Sequence, residues 1–102
     1  MPFDDTRVRE YLRTAHETAL LTEREKHLIG LAVTLTRGCQ VCTRNRIEKA
    51  RAAGIKDDVL NALIAVASSV NAGVTAATAR EAFRMAEASA AEECGPLCSA
   101  NV

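Results

Sequence analysis

At 102 residues the chain suits one domain and leaves no room for two. Lys+Arg and Asp+Glu both total 13, and a formal net charge of zero argues against nucleic-acid binding by bulk charge and against an acidic binding tail. Hydrophobic residues make up 48%, with no Trp and only Phe3, Tyr11 and Phe83 aromatic. Disorder is therefore excluded, the core must be built from Ala, Leu, Val and Ile, and so small a core calls for an oligomer that buries more surface.

Helix 1 is expected from Asp4 or Asp5 to Ala19, because the paired aspartates suit an N-cap and the positive helix end. Val8, Leu12, Ala15 and Ala19 share one of its faces. Thr22 opens helix 2, with Glu25 three residues later as a capping box. Leu28, Leu31, Ala32 and Leu35 give helix 2 an apolar stripe, and Gly38 ends it. Helix 3 runs from near Cys39 to Ala53-Gly54. Asp57 caps helix 4, whose apolar residues Val59, Leu60, Leu63, Ile64, Ala67 and Val70 cover most of its circumference and mark it as the central helix. Gly73 breaks it, and an alanine-rich helix 5 follows from about Thr75 to Glu92, ended by Gly95-Pro96.

No run alternates with period two. The reading is an all-α, single-domain bundle of about five helices over residues 1–92, with a cysteine-containing tail over residues 93–102. The longest purely apolar run, residues 62–67, falls far below the roughly 18–20 residues of a membrane span. The first residues, MPFDDTR, carry no apolar segment behind a basic start, so no membrane association and a cytoplasmic location are expected.

Four cysteines remain to be explained: Cys39, Cys42, Cys94 and Cys98. Without an export signal, metal binding or thiol redox chemistry is the better starting point than structural disulfides. Cys39 and Cys42 form a C-x-x-C, and on a helix positions i and i+3 share a face, so the sulfurs can meet. Cys39 follows a glycine at a helix start, where free N–H groups and the helix dipole stabilise a thiolate. Between Arg37 and Arg51 lie five basic residues (Arg37, Arg44, Arg46, Lys49 and Arg51) and one acid, Glu48. Positive charge lowers a thiol pKa further, and Arg46 stands one turn beyond Cys42. Two plainer readings of the pair are buried structural thiols and a zinc site completed by Cys94-x-x-x-Cys98.

Residues 23–42 (EREKHLIGLAVTLTRGCQVC) resemble the carboxymuconolactone decarboxylase family, and more closely its alkylhydroperoxidase D-like branch. Residues 53–63 (AGIKDDVLNAL) match the helix-turn-helix that follows this motif, and the resemblance covers about residues 20–90. It implies an all-helical homo-oligomer, trimer or hexamer. It also implies a redox-active C-x-x-C that reduces peroxides or exchanges with disulfides, with a thioredoxin-like or lipoyl-type electron donor. The decarboxylases of the family lack the cysteine pair, so its presence points to redox chemistry. Two positions depart from the pattern: His27 stands in place of a glutamate, and Arg46 in place of a histidine.

Arginine cannot release a proton in a protein; it can hold a thiolate but cannot act as a general base. Proton transfer therefore falls to His27, with Glu23 one turn earlier on the same face to orient it, while Glu25 completes the cap. His16 has no motif around it. The expected catalytic set is Cys39, Cys42, His27, Arg46 and Glu23, with a peroxide or disulfide substrate, no cofactor and no metal. Helix-start logic nominates Cys39 as the reactive thiol and Arg46 nominates Cys42. The alternatives are a redox-sensing or oligomerising module without turnover, and a metal domain using all four cysteines. The Gly95-Pro96 turn can bring Cys94 and Cys98 together as a second redox pair, or leave an unpaired tail.

Overall fold

The computed structural model describes residues 2–91. Cys94, Cys98 and the Gly95-Pro96 turn lie outside the described residues. Among the described residues there are four helices and no strand: α1 (Thr6–His16), α2 (Glu23–Arg37), α3 (Gln40–Ala52) and α4 (Asp57–Ala91). The all-α class holds, and the count of five does not. Gly73 lies within α4 at a helical φ, with nothing within 4 Å of where its Cβ would be. A lone glycine costs a helix about 1 kcal/mol, too little to stop one flanked by alanines with no proline nearby. α1 ends at His16, three residues short of Ala19.

The chain divides into two compact units, Met1–Ala65 and Val66–Val102. The first unit is organised around the α2/α3 hairpin. Thr22 Oγ1 accepts from the Glu25 N–H at 3.1 Å and Glu25 Oε1 accepts from the Thr22 N–H at 2.8 Å, the reciprocal capping box expected from the sequence. At its other end Gly38 adopts φ 78°, a left-handed conformation that only glycine enters without cost. The Gly38 N–H returns to Leu35 O and the Cys39 N–H to Thr34 O. Gly54 (φ 85°) repeats the device after α3: its N–H bonds Arg51 O, and the Ile55 N–H bonds Ala50 O at 3.0 Å. The second turn delivers Ile55 into the core beside Leu31, Ala50 and Leu60.

α4 begins in this unit, and Asp57 is its first residue, not its N-cap. The carbonyl of Lys56 accepts the first helical bonds, from Val59 and Leu60. Asp57 instead holds Arg51 with two bonds of 2.9 Å, tying the end of α3 to the start of α4 across the Gly54 turn. The Arg51 guanidinium holds the Asp57 carboxyl below its ordinary range. Nor does Asp5, at the N-cap position of α1, cap with its side chain; Asp4 Oδ1 accepts from the Thr6 N–H and hydroxyl.

The expectation of a central α4 is corrected. Among the described residues Leu60 is its one buried large side chain and Leu63 is half-buried, because a hairpin covers only one face of a third helix. In the second unit Val66, Val70 and Val74 are about three-fifths exposed. α4 also qualifies the expectation that no segment is long and apolar enough for a bilayer. By length and composition alone it is, with a mean hydropathy of 1.6 over its most apolar stretch and no charge between Asp58 and Arg80. Unbroken apolar runs miss it because Asn, Ser and Thr interrupt the helix without charging it.

The two kinds of glycine predict opposite responses. Gly38→Ala forces a Cβ into a left-handed conformation and is expected to cost about 1–2 kcal/mol. Gly73→Ala is expected to stabilise by about 0.5–1 kcal/mol; urea denaturation of both variants checks the signs. Asp57 titrates lower in the folded chain than in the unfolded one, so its contribution is full above the unfolded pKa of about 3.9 and is lost as pH falls through its lower folded value. Asp57→Asn should therefore flatten the acid limb of the stability profile and leave the alkaline limb in place.

Candidate functional site

The two sulfurs of the C-x-x-C are joined as a disulfide, with the Cα atoms 5.3 Å apart. Cys39 is the N-cap of α3, and its Sγ accepts from the Cys42 N–H at 3.2 Å. The same residue closes α2 through its own N–H. Its carbonyl accepts from the Thr43 N–H at 3.0 Å and the Thr43 hydroxyl at 2.7 Å. The Thr43 hydroxyl also lies 3.3 Å from that of Thr34, joining α3 to α2 beside the pair. Cys39 is half-buried and Cys42 exposed. A helix-start N–H aimed at a sulfur is the environment that favours thiolate over thiol.

The other expected residues are not gathered around Cys39. A cavity of about 560 Å³ at Cys39 is lined on α3 by Thr43, Arg44, Ile47, Glu48 and Arg51. Glu23, His27 and Arg46 line a different cavity, of about 300 Å³, together with Lys49 and residues of α1. The basic run around the cysteines is thus split by helix geometry. Arg44, Glu48 and Arg51, at i, i+4 and i+7, face the Cys39 cavity, where Glu48 approaches Arg44 at 4.0 Å and Asp57 neutralises Arg51. Cys42, Arg46 and Lys49 follow the same spacing on another stripe. Thr43 was not singled out from the sequence; its i+4 relation to Cys39 was the available signal.

Glu23 places its hydrogen bond on Lys26 and faces His27 only through charge. Its Oε1 accepts from Lys26 Nζ at 2.9 Å, and no hydrogen bond joins Glu23 to His27 among the described residues. Lys26, first by hydrogen bond and then by charge, holds the Glu23 carboxyl below its ordinary range. Lys26 is itself buried and also donates to the carbonyl of His16 at 2.6 Å, fastening the end of α1 to α2. A cation there suits the negative end of α1. His27 is half-buried, whereas His16 is exposed with Nδ1 2.8 Å from Leu12 O. No group of three or more His, Cys, Asp or Glu side chains able to hold a metal occurs among the described residues.

A search of curated proteins found no match. Among solved structures, the crystal structure of a protein from Methanobacterium thermoautotrophicum, a structural-genomics target, is similar with a TM-score of 0.73 and 34% sequence identity, over 81% of this chain and 95% of that one. The profile of the carboxymuconolactone decarboxylase family matches residues 6–88, a span that takes in the capping box, both Schellman glycines and the cysteine pair. The chain belongs to the carboxymuconolactone decarboxylase family.

Proposed function

We propose that the protein is a thiol-dependent oxidoreductase whose Cys39/Cys42 pair reduces a peroxide or exchanges with a disulfide. The observation that supports it is the pair itself: two sulfurs in disulfide contact at the start of a helix, one half-buried and one exposed. In the peroxide reaction one thiolate attacks an oxygen of the O–O bond, alkoxide or hydroxide leaves and takes up a proton, and a sulfenic acid forms. The second thiol attacks that sulfur, water leaves, and the disulfide results. A dithiol donor of thioredoxin-like or lipoyl type returns the pair to the reduced state, and a cytoplasmic location would keep it so.

Exposure supports Cys42 as the attacking thiol in this reading, since an incoming peroxide or donor reaches it first, with Cys39 resolving. Arg46 raises the positive potential on the Cys42 stripe. His27 is the proton carrier in this reading, since imidazole exchanges a proton near neutral pH and guanidinium does not. A homo-oligomer, trimer or hexamer, is the natural cover for Val66, Val70 and Val74, which repeat every four residues along α4.

Peroxide consumption with dithiothreitol as donor tests the reading. Wild type should turn over, and Cys39→Ser and Cys42→Ser should each fall to background. His27→Ala should lose about 10²-fold at neutral pH and flatten the pH–rate profile. Absence of wild-type turnover, with an oligomer size that changes on oxidation, would identify a redox sensor instead. Val70→Asp should yield a smaller species than wild type by light scattering; an unchanged mass would remove α4 from the assembly.

A further inference from the structure

The cavity that holds His27 and Arg46 is cationic to a degree that the neutral chain conceals. Arg46, Lys49 and His27 meet Arg9, Arg13 and His16 of α1 around it, against one acid, Glu23. Lys26 also lines the cavity, and three of its five Arg and Lys residues are already answered. Arg9 pairs with Asp5 at 2.9 Å, Arg13 with Glu17 at 2.6 Å and Lys26 with Glu23 at 2.9 Å. Arg46 and Lys49 have no carboxylate partner among the described residues.

Arg46 is also built into place. A Cβ on Gly30 would stand 2.5 Å from its Cζ and 3.0 Å from its Nε, so the guanidinium lies across α2 against Gly30, and a side chain there would shift the end of the arginine. Half-buried there, its N–H groups meet no acceptor among the described residues. A second cavity of about 280 Å³ adjoins the first, sharing Leu12, His16, Lys26 and Arg46, and its remaining wall includes Ala15, Ile29 and Val33. A cationic pocket thus opens beside an apolar one, with one unpaired guanidinium at the junction. Each is near the lower end of small-molecule sites, roughly 300 Å³.

We propose that this double cleft between α1, α2 and α3 binds an amphiphilic organic carboxylate, its head on Arg46 and Lys49 and a short apolar body along Leu12, Ile29 and Val33. A planar guanidinium donates to both carboxylate oxygens at once, and the apolar wall excludes ligands that are all charge. Gly30 is the positioning residue, because it sets where the guanidinium lies. The site does not depend on the redox reading, since its occupancy is measured without turnover.

The test is titration of the full-length protein with octanoate, followed by calorimetry and by amide chemical shifts. Octanol, inorganic phosphate and octylammonium serve as probes of the tail, the anion and the opposite charge. Octanoate should bind more tightly than all three, with shifts centred on residues 12, 29, 33 and 46. Arg46→Gln and Lys49→Gln should each weaken it about tenfold, the loss of one charge-assisted hydrogen bond. Gly30→Ala, which keeps every charge but displaces the guanidinium, should weaken it comparably. Cys42→Ser should leave it unchanged, and this separates the site from the redox reading. Failure of octanoate to bind, phosphate binding as well as octanoate, or shifts centred elsewhere would each overturn the proposal. The shift map needs no variant, so it decides the matter even where a substitution does not fold.

Discussion

One residue in a left-handed conformation, Gly38, sets the geometry on which the site depends. It reverses the chain so tightly that Cys39 serves two helices. The Cys39 N–H closes α2 on Thr34, and its carbonyl and sulfur open α3 on Thr43 and Cys42. With both backbone groups engaged, Cys39 cannot drift, and the next turn of α3 presents Cys42 to it. The hairpin that results packs Leu31 against Ala50, and the Gly54 turn adds Ile55 to that core. Cysteine pair and hydrophobic core are therefore consequences of the same turn.

Helix periodicity then divides the chemistry of α3. A run of basic residues that looks like one cluster in the chain is dealt onto separate faces about 100° apart per residue. The Arg44 and Arg51 face carries its own acids, Glu48 and Asp57. The Arg46 and Lys49 face carries none, and its arginine is accommodated by an opposing glycine on α2. Positive potential is retained where no acid has been placed and cancelled where one has. The field at the cysteines is thus narrower than the count of basic residues suggests.

α1 is attached by different means. It contributes no buried residue of its own. Buried Lys26 reaches from α2 to the last carbonyl of α1 while paired with Glu23, so one cation serves as the clasp of the helix. The same contact engages Glu23 Oε1 with Lys26, leaving its influence on His27 to charge alone. α4 has the opposite character, with apolar side chains along its length and no charge over residues 59–79, three-fifths of the helix.

Local signals in the sequence determined most of the helices, because their causes lie within a few residues. The capping box at Thr22 and Glu25, the glycines that end α2 and α3, and the C-x-x-C at a helix start all depend on neighbours three to six positions away. Family membership was legible for the same reason, since residues 23–42 are nearly contiguous motif. Gly73 was misread because a glycine looks alike in a turn and in a helix, and only the surrounding helix decides. Tertiary structure alone decided which charges meet. Glu23 chooses Lys26 over His27, Asp57 turns back to Arg51, and Arg46 settles on Gly30 sixteen residues away. These are competitions between partners, and their outcome depends on distances across helices that spacing along the chain does not contain.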